Sequence, residues 1–208
     1  MTSYSPNIII RPATIDDVSF VAQCVLASVE LCDFREDSVE KDIAEDACGR
    51  DDTLYSWRNA RIAAIEGTPV GCMVSYPGEY YLDARERTFK IFRDAGRPMD
   101  DTEMEANSGE WYLDSMSIVP AFRGYGIGRL LMNDAIDSAI KNGYRQAALI
   151  VEYNKPHLRD YYSDMGFMPE REMNAFGEKY LKMCKTILNE HRKSPRRAFC
   201  KGFFEELR

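Results

Sequence analysis

The stretch Ile118-Val119-Pro120-Ala121-Phe122-Arg123-Gly124-Tyr125-Gly126-Ile127-Gly128 constrains this chain more than any other. A strand-like segment, Glu110 to Val119, runs into Pro120, which cannot continue a strand ladder. A glycine-rich turn comes next. From Gly126 to Asn142, Ile127, Leu130, Leu131, Ala135, Ile136, Ala139 and Ile140 then form one apolar helical stripe, and Gly143 supplies the stop. A glycine turn entering a helix leaves backbone N–H groups free at the positive helix end. Such a turn suits a phosphate, because glycine lets the backbone approach closely. Arg123 places a fixed cation beside it.

Two phosphate loops of other kinds are excluded. A P-loop ends Gly-Lys-Ser/Thr, whereas this turn ends Gly128-Arg129-Leu130. A dinucleotide fingerprint starting at Gly124 needs glycine where Arg129 stands. Glycines that serve only tight packing at a helix start remain an alternative that the glycines alone leave open.

The rest of the chain alternates strand and helix. Ile8 to Ile10 predict a first strand. Thr14 caps a helix with acids at Asp16 and Asp17, and Val18, Val21, Ala22, Val25 and Leu26 lie at helical spacing. Ser38 to Cys48 predict a second helix, and Arg61–Glu66 and Pro69–Tyr76 a hairpin turning at Gly67-Thr68. Tyr80–Ala95 predict a charged helix, and Gly96–Gly109 an acidic loop. Ala147–Val151 predict an apolar strand, and Lys155–Met165 a short helix with Asn154 as its N-cap. Two further strands lie near Phe167–Met173 and Glu178–Thr186. The fold class is α/β (α+β): one domain, residues 1–188, followed by an extension, 189–208. In that extension Ser194-Pro195 can start a helix carrying Phe199, Phe203 and Phe204, which would dock on this chain or on a second copy, a homodimer.

With 27 basic and 34 acidic residues the net charge is −7, which argues against nucleic acid as a partner and favours cationic small molecules or basic peptides. The six cysteines form no CxxC pair and the two histidines, His157 and His191, lie far apart, so no metal is expected. Met1 to Asn7 lack an apolar signal core, and no apolar run reaches the length of a membrane span. Free thiols in a reducing cytoplasm are the expectation.

Arg123-Gly124-Tyr125-Gly126-Ile127-Gly128 resembles the signature loop of the GNAT N-acetyltransferase superfamily, matching it at Arg123, Gly126 and Gly128. Leu113 to Pro120 resemble that family's fourth strand. Ile10-Arg11-Pro12-Ala13 with Thr14 to Asp17 resemble its opening. Asn154, then Tyr162-Ser163-Asp164-Met165-Gly166-Phe167, resemble its second motif. Asn154 departs by one extra residue before Gly166-Phe167, and His157 or Leu158 stands where alanine is usual. The resemblance, spanning roughly Ile8 to Lys185, implies a mixed, mostly antiparallel sheet flanked by helices, with a splayed central strand pair. It implies acetyl-CoA as co-substrate. The loop amides from Arg123 through Gly124, Tyr125, Gly126, Ile127 and Gly128 would hold the pyrophosphate, and Met116, Ser117 and Ile118 would pair with the pantetheine arm. Asn154 completes the implied cofactor set.

Moving acetyl from a thioester to an amine needs an oriented thioester, a neutral amine, a donor for the carbonyl oxygen and a proton for the thiolate. The Ile118 N–H is the candidate carbonyl donor. By the family's spacing, Tyr162 rather than Tyr161 is the proton donor, although a packed aromatic is the alternative. Glu110 and Asp114, on one face of the strand, are the candidate bases; a solvated charge at a strand start is the other reading of Glu110. The acids from Asp100 to Glu105 are expected to form a negative rim that gathers a cationic acceptor. The expected activity is transfer to a primary amine without a covalent enzyme intermediate. Another acyl-CoA donor, a non-catalytic acyl-CoA sensor and an ATP-binding protein are the rivals.

Overall fold

The computed structural model describes residues 6–31, 34, 39–97 and 103–187. Among these, seven strands form one sheet. They are β1 (Ile8–Pro12), β2 (Ala60–Ile65), β3 (Thr68–Pro77), β4 (Glu110–Ile118), β5 (Gln146–Glu152), β6 (Met168–Ala175) and β7 (Glu178–Thr186), in the order β1-β2-β3-β4-β5-β7-β6. Only β4 and β5 pair in parallel; every other neighbour is antiparallel. The helices are α1 (Val18–Ser28), α2 (Val39–Gly49), α3 (Tyr81–Asp94), α4 (Ile127–Lys141) and α5 (Pro156–Asp164).

Each face of the sheet carries its own apolar core. On one, α1 to α3 pack Val25, Leu26, Ala44, Ala47 and Phe92 against Ile62, Val74, Tyr76 and Tyr112. On the other, the α4 stripe of Ile127, Leu131, Ala135 and Ile136 packs against Val70, Met73, Leu113 and Leu149, with α5 at its edge. The fully apolar reading of β5 fits a strand covered on both faces.

Local chemistry explains most boundaries. The Asp17 carboxylate accepts from the Thr14 backbone N–H at 2.8 Å and from Arg11 at 2.7 Å, which anchors the helical entry; the Arg11 guanidinium holds this carboxyl down at about 2. The β2–β3 hairpin turns at Glu66-Gly67, one residue before the expected Gly67-Thr68. Both turn residues have positive φ, 50° and 82°, as the two-residue turn that matches strand twist requires. Asn154 is not the α5 cap: Lys155 holds that position and Pro156 starts the helix. The extra residue in this connection places Asn154 one step too early.

A bulge in β4 decides which way each of its side chains points. Ser115 pairs with Val74 and Leu113 with Ser75, which leaves Asp114 as an extra residue on β4. Leu113, Met116 and Ile118 consequently all face the α4 core, while Tyr112 and Asp114 face the α1 side. Residues 188–208, including the expected C-terminal helix, lie outside the described residues, as do Asp100 and Asp101.

Candidate active site

β4 and β5 pair only at Glu110, Trp111 and Tyr112 with Gln146, Ala147 and Ala148, although both strands run on. Past Tyr112 they diverge. The Val119 N–H bonds to the Val70 carbonyl of β3 at 2.9 Å. Alternation along the strand therefore turns the backbone groups of Met116 and Ile118 away from β3 and into the gap. The Ile118 carbonyl there accepts from Arg123 Nε at 3.2 Å, which ties the loop arginine to the strand.

The glycine loop closes one end of this gap. Gly126 is the N-cap of α4 at φ 77°, and lacking a side chain it offers no cap. The Leu130 N–H is the one that reaches back to Gly126 (3.2 Å), so those of Ile127, Gly128 and Arg129 lie before the first intrahelical bond. A cavity of about 650 Å³ opens here. Met116, Ile118, every residue from Arg123 to Leu130, Leu158, Tyr161 and Tyr162 line it. Of the expected cofactor set, the structure thus brings Met116, Ile118, Arg123, Gly124, Tyr125, Gly126, Ile127 and Gly128 together. Ser117 lies on the same strand with its side chain buried on the opposite face. Asn154 lines a different cavity.

Tyr162 sits at the inner end of α5. Its ring packs edge-on against Tyr161 at 5.3 Å and Phe167 at 6.2 Å, and burial pushes its phenol up to about 12. The Tyr161 hydroxyl is buried in the same cavity and has no hydrogen-bond partner among the described residues. The unpaired strand edge, the free first-turn amides and this orphaned hydroxyl all suit a ligand with anionic and peptide-like parts, and CoA has both.

The two candidate bases have different fates. Glu110 is 4 % exposed rather than solvated. Both its oxygens bond the fully buried Lys182 ammonium, at 3.0 and 2.8 Å, and they also accept from Asn107. Glu170 and Cys184 complete a cluster whose ligand atoms lie within 4.8 Å of one another; Lys182 lies 3.8 Å from Glu170 and supplies the positive charge there. Asp114 accepts from the Tyr76 hydroxyl and from Ser115 at 2.7 Å, and burial raises its carboxyl. Glu105, expected on a negative rim, is instead buried, with Tyr81 and Tyr112 donating to it at 3.0 and 2.7 Å. Burial first, then the charge of Asp114, pushes Glu105 up to about 7. Glu103 is exposed, and its carboxylate is partnered by Arg171 and Asn174.

A second cavity, about 890 Å³, lies on the α1 side. Leu26, Tyr55, Phe92 and Phe176 give it apolar walls, and Glu30, Glu40, Glu152 and Glu178 give it carboxylates. Lys155 pairs with Glu30 and Glu152 at 2.6 and 2.7 Å, and Arg97 with Glu40 at 3.1 Å. The charges of Asp114 and Glu105 both reach Tyr55 in its wall. Sequence reasoning missed Lys182, the Glu105 cluster and this cavity; each depends on residues far apart in the chain.

The model of the acetyltransferase (GNAT) family matches residues 26–167. No curated protein sequence matches the chain. One solved structure, described as an acetyltransferase, has a TM-score of 0.70 at 26% identity, over 86% of this chain and 100% of its own. An N-acetyltransferase from Staphylococcus aureus Mu50 has a TM-score of 0.72 at 21% identity, over 85% and 99%. The PaiA N-acetyltransferase from Thermoplasma acidophilum, solved with coenzyme A, has 0.52 at 16% identity, over 86% and 99%. At these identities the latter two speak for the fold. Among the described residues no helix is long and apolar enough to cross a membrane.

Proposed function

The chain belongs to the acetyltransferase (GNAT) family and is an acyltransferase, and we propose that it moves acetyl from acetyl-CoA to a primary amine by direct attack in a ternary complex. The observation that carries this reading is the gap between β4 and β5, with the Met116 and Ile118 backbone groups that face it paired to no neighbouring strand, and the glycine loop at its end. When bound, acetyl-CoA supplies an activated acyl carbon and a sulfur leaving group. The amides from Arg123 to Gly128 hold the pyrophosphate, and the Met116 to Ile118 edge takes the pantetheine arm as an added strand. The Ile118 N–H donates to the carbonyl oxygen, where negative charge develops. Tyr162 keeps its proton at neutral pH, since burial raises its phenol, and gives it to the sulfur as the bond breaks.

Asp114 is the base this geometry favours. Glu110 is committed to the buried Lys182 ammonium, whereas Asp114 has a raised carboxyl and stands at the bulge where the strands part. Glu105 shares the proton load, because two buried like charges resist joint ionisation. The acceptor enters through the second cavity. Its carboxylates and apolar walls suit a small amine with a hydrophobic body or the end of a basic peptide. Neither nucleic acid nor a membrane figures in this reading, and the sites it uses need no metal. The four described cysteines are free thiols, three of them buried, which suits a cytoplasmic setting.

The test is thiol release from acetyl-CoA with a panel of amines, with products read by mass. Acetylated amine formed at a rate proportional to enzyme supports the proposal. CoA binding without release for any amine would leave only a sensor. A higher rate with succinyl-CoA would move the donor.

A further inference from the structure

We propose that the Tyr161 hydroxyl is a hydrogen-bond donor to a pyrophosphate oxygen of bound CoA; this rests on the acetyl-CoA reading. Both neighbouring tyrosines of α5 pack against the α4-side core and line the cavity. The Tyr162 ring meets Phe167 edge-on, whereas the Tyr161 oxygen lies 3.1 Å from the point where a Cβ on Gly128 would stand. That point is otherwise flanked by Ile118 Cδ1 at 3.3 Å and Met116 Cε at 3.6 Å, neither of which accepts a hydrogen bond. A buried hydroxyl without a partner is costly, and among the described residues this one has none.

Several hydrogen-bond donors line this end of the cavity. The Ile127, Gly128 and Arg129 N–H groups precede the first intrahelical bond of α4, and the Arg129 guanidinium is close enough for its charge to act on the phenol. Burial nevertheless raises the Tyr161 phenol above its ordinary value, so it stays protonated and donates. Convergent donors with no acceptor of their own call for an anionic oxygen. Gly128 lets the hydroxyl approach: any larger residue would put its Cβ against it.

Tyr161→Phe tests this, because it keeps the ring and removes only the oxygen. Free of ligand, the variant should melt at or above the wild-type temperature, since an unsatisfied buried group is gone. CoA affinity, measured by calorimetry, should fall about tenfold or more, the scale of a hydrogen bond to a charged group. ADP, which carries the pyrophosphate, should lose affinity alongside CoA, while pantetheine should not. The KM for acetyl-CoA should rise by a comparable factor. Unchanged CoA affinity in the folded variant overturns the assignment. So does a loss confined to pantetheine, and so does a collapse of kcat with CoA affinity intact, which would make Tyr161 the proton donor. If the folded wild-type chain itself binds no CoA, the acetyl-CoA reading fails and this assignment falls with it.

Discussion

The ammonium of Lys182 on β7 and the carboxylate of Glu110 on β4 face each other at 2.8 and 3.0 Å, with Lys182 fully shielded from solvent. They bridge strands separated in the sheet by β5. Removing one partner strands the other as a buried charge. Lys182→Met should therefore destabilise the fold by about 3–5 kcal/mol. The double variant Lys182→Met, Glu110→Met should recover most of that loss, as urea denaturation would show. A mild single variant would mean that water reaches the pair.

Gly126→Asp should abolish CoA binding while leaving the chain folded. Nothing lies within 4 Å of a Cβ built there, so the side chain has room, and aspartate tolerates positive φ better than most residues. Its carboxylate would stand where the pyrophosphate is expected. Calorimetry with CoA checks this, and near-wild-type affinity would remove the loop from the cofactor site.

Tyr162→Phe should lower kcat by about 10²–10⁴-fold with CoA affinity and melting temperature little changed. Set beside Tyr161→Phe, it separates proton delivery from cofactor holding. A large loss of stability in Tyr162→Phe would show instead that the hydroxyl serves packing.

Stability should fall as pH rises from the ordinary Glu value to about 7. Glu105 has its folded-state pKa raised from 4.5 to about 7, so between those values the folded chain holds a proton that the unfolded chain has lost. Unfolding then releases a proton, and stability drops with rising pH across that window and levels above it. Glu105→Gln should flatten this slope, a difference of about 3 kcal/mol at most between pH 4 and pH 8. Denaturation curves at several pH values decide it; an unchanged slope would mean that Glu105 titrates normally.

Glu178→Lys should lower kcat/KM several-fold for a cationic acceptor and less for a neutral one, with the difference shrinking as salt rises. Glu178 lines the second cavity at the start of β7. Equal effects on both acceptors would place the amine elsewhere.

Much of this architecture is legible in local pattern. The α4 stripe, the apolar β5 and the glycine turn each declare themselves within a few neighbouring residues. What the sequence conceals is non-local. Lys182 reads as an ordinary polar residue between Leu181 and Met183, because alternation cannot say that its face is covered. Glu105 reads as one more acid in a charged loop until the Tyr81 and Tyr112 hydroxyls close on it. Asn154 matches a motif yet lines the other cavity, displaced by the extra residue in the turn after β5. The two tyrosines of α5 are adjacent letters, and only their three-dimensional setting brings the Tyr161 hydroxyl to Gly128 and the Tyr162 ring to Phe167.

Asp114 is surplus to the ladder, and that has a consequence for chain length. Without it, Leu113, Met116 and Ile118 would still alternate correctly toward α4, so a chain one residue shorter keeps its core. What it loses is the bend: an unbulged β4 would run straight and zip onto β5 beyond Tyr112, consuming the backbone groups of Met116 and Ile118. The gap proposed to take the acyl donor is thus opened by a count of residues rather than by any side chain. Deleting Asp114 should yield a folded protein whose Met116 and Ile118 amides gain hydrogen-exchange protection and whose CoA site has closed.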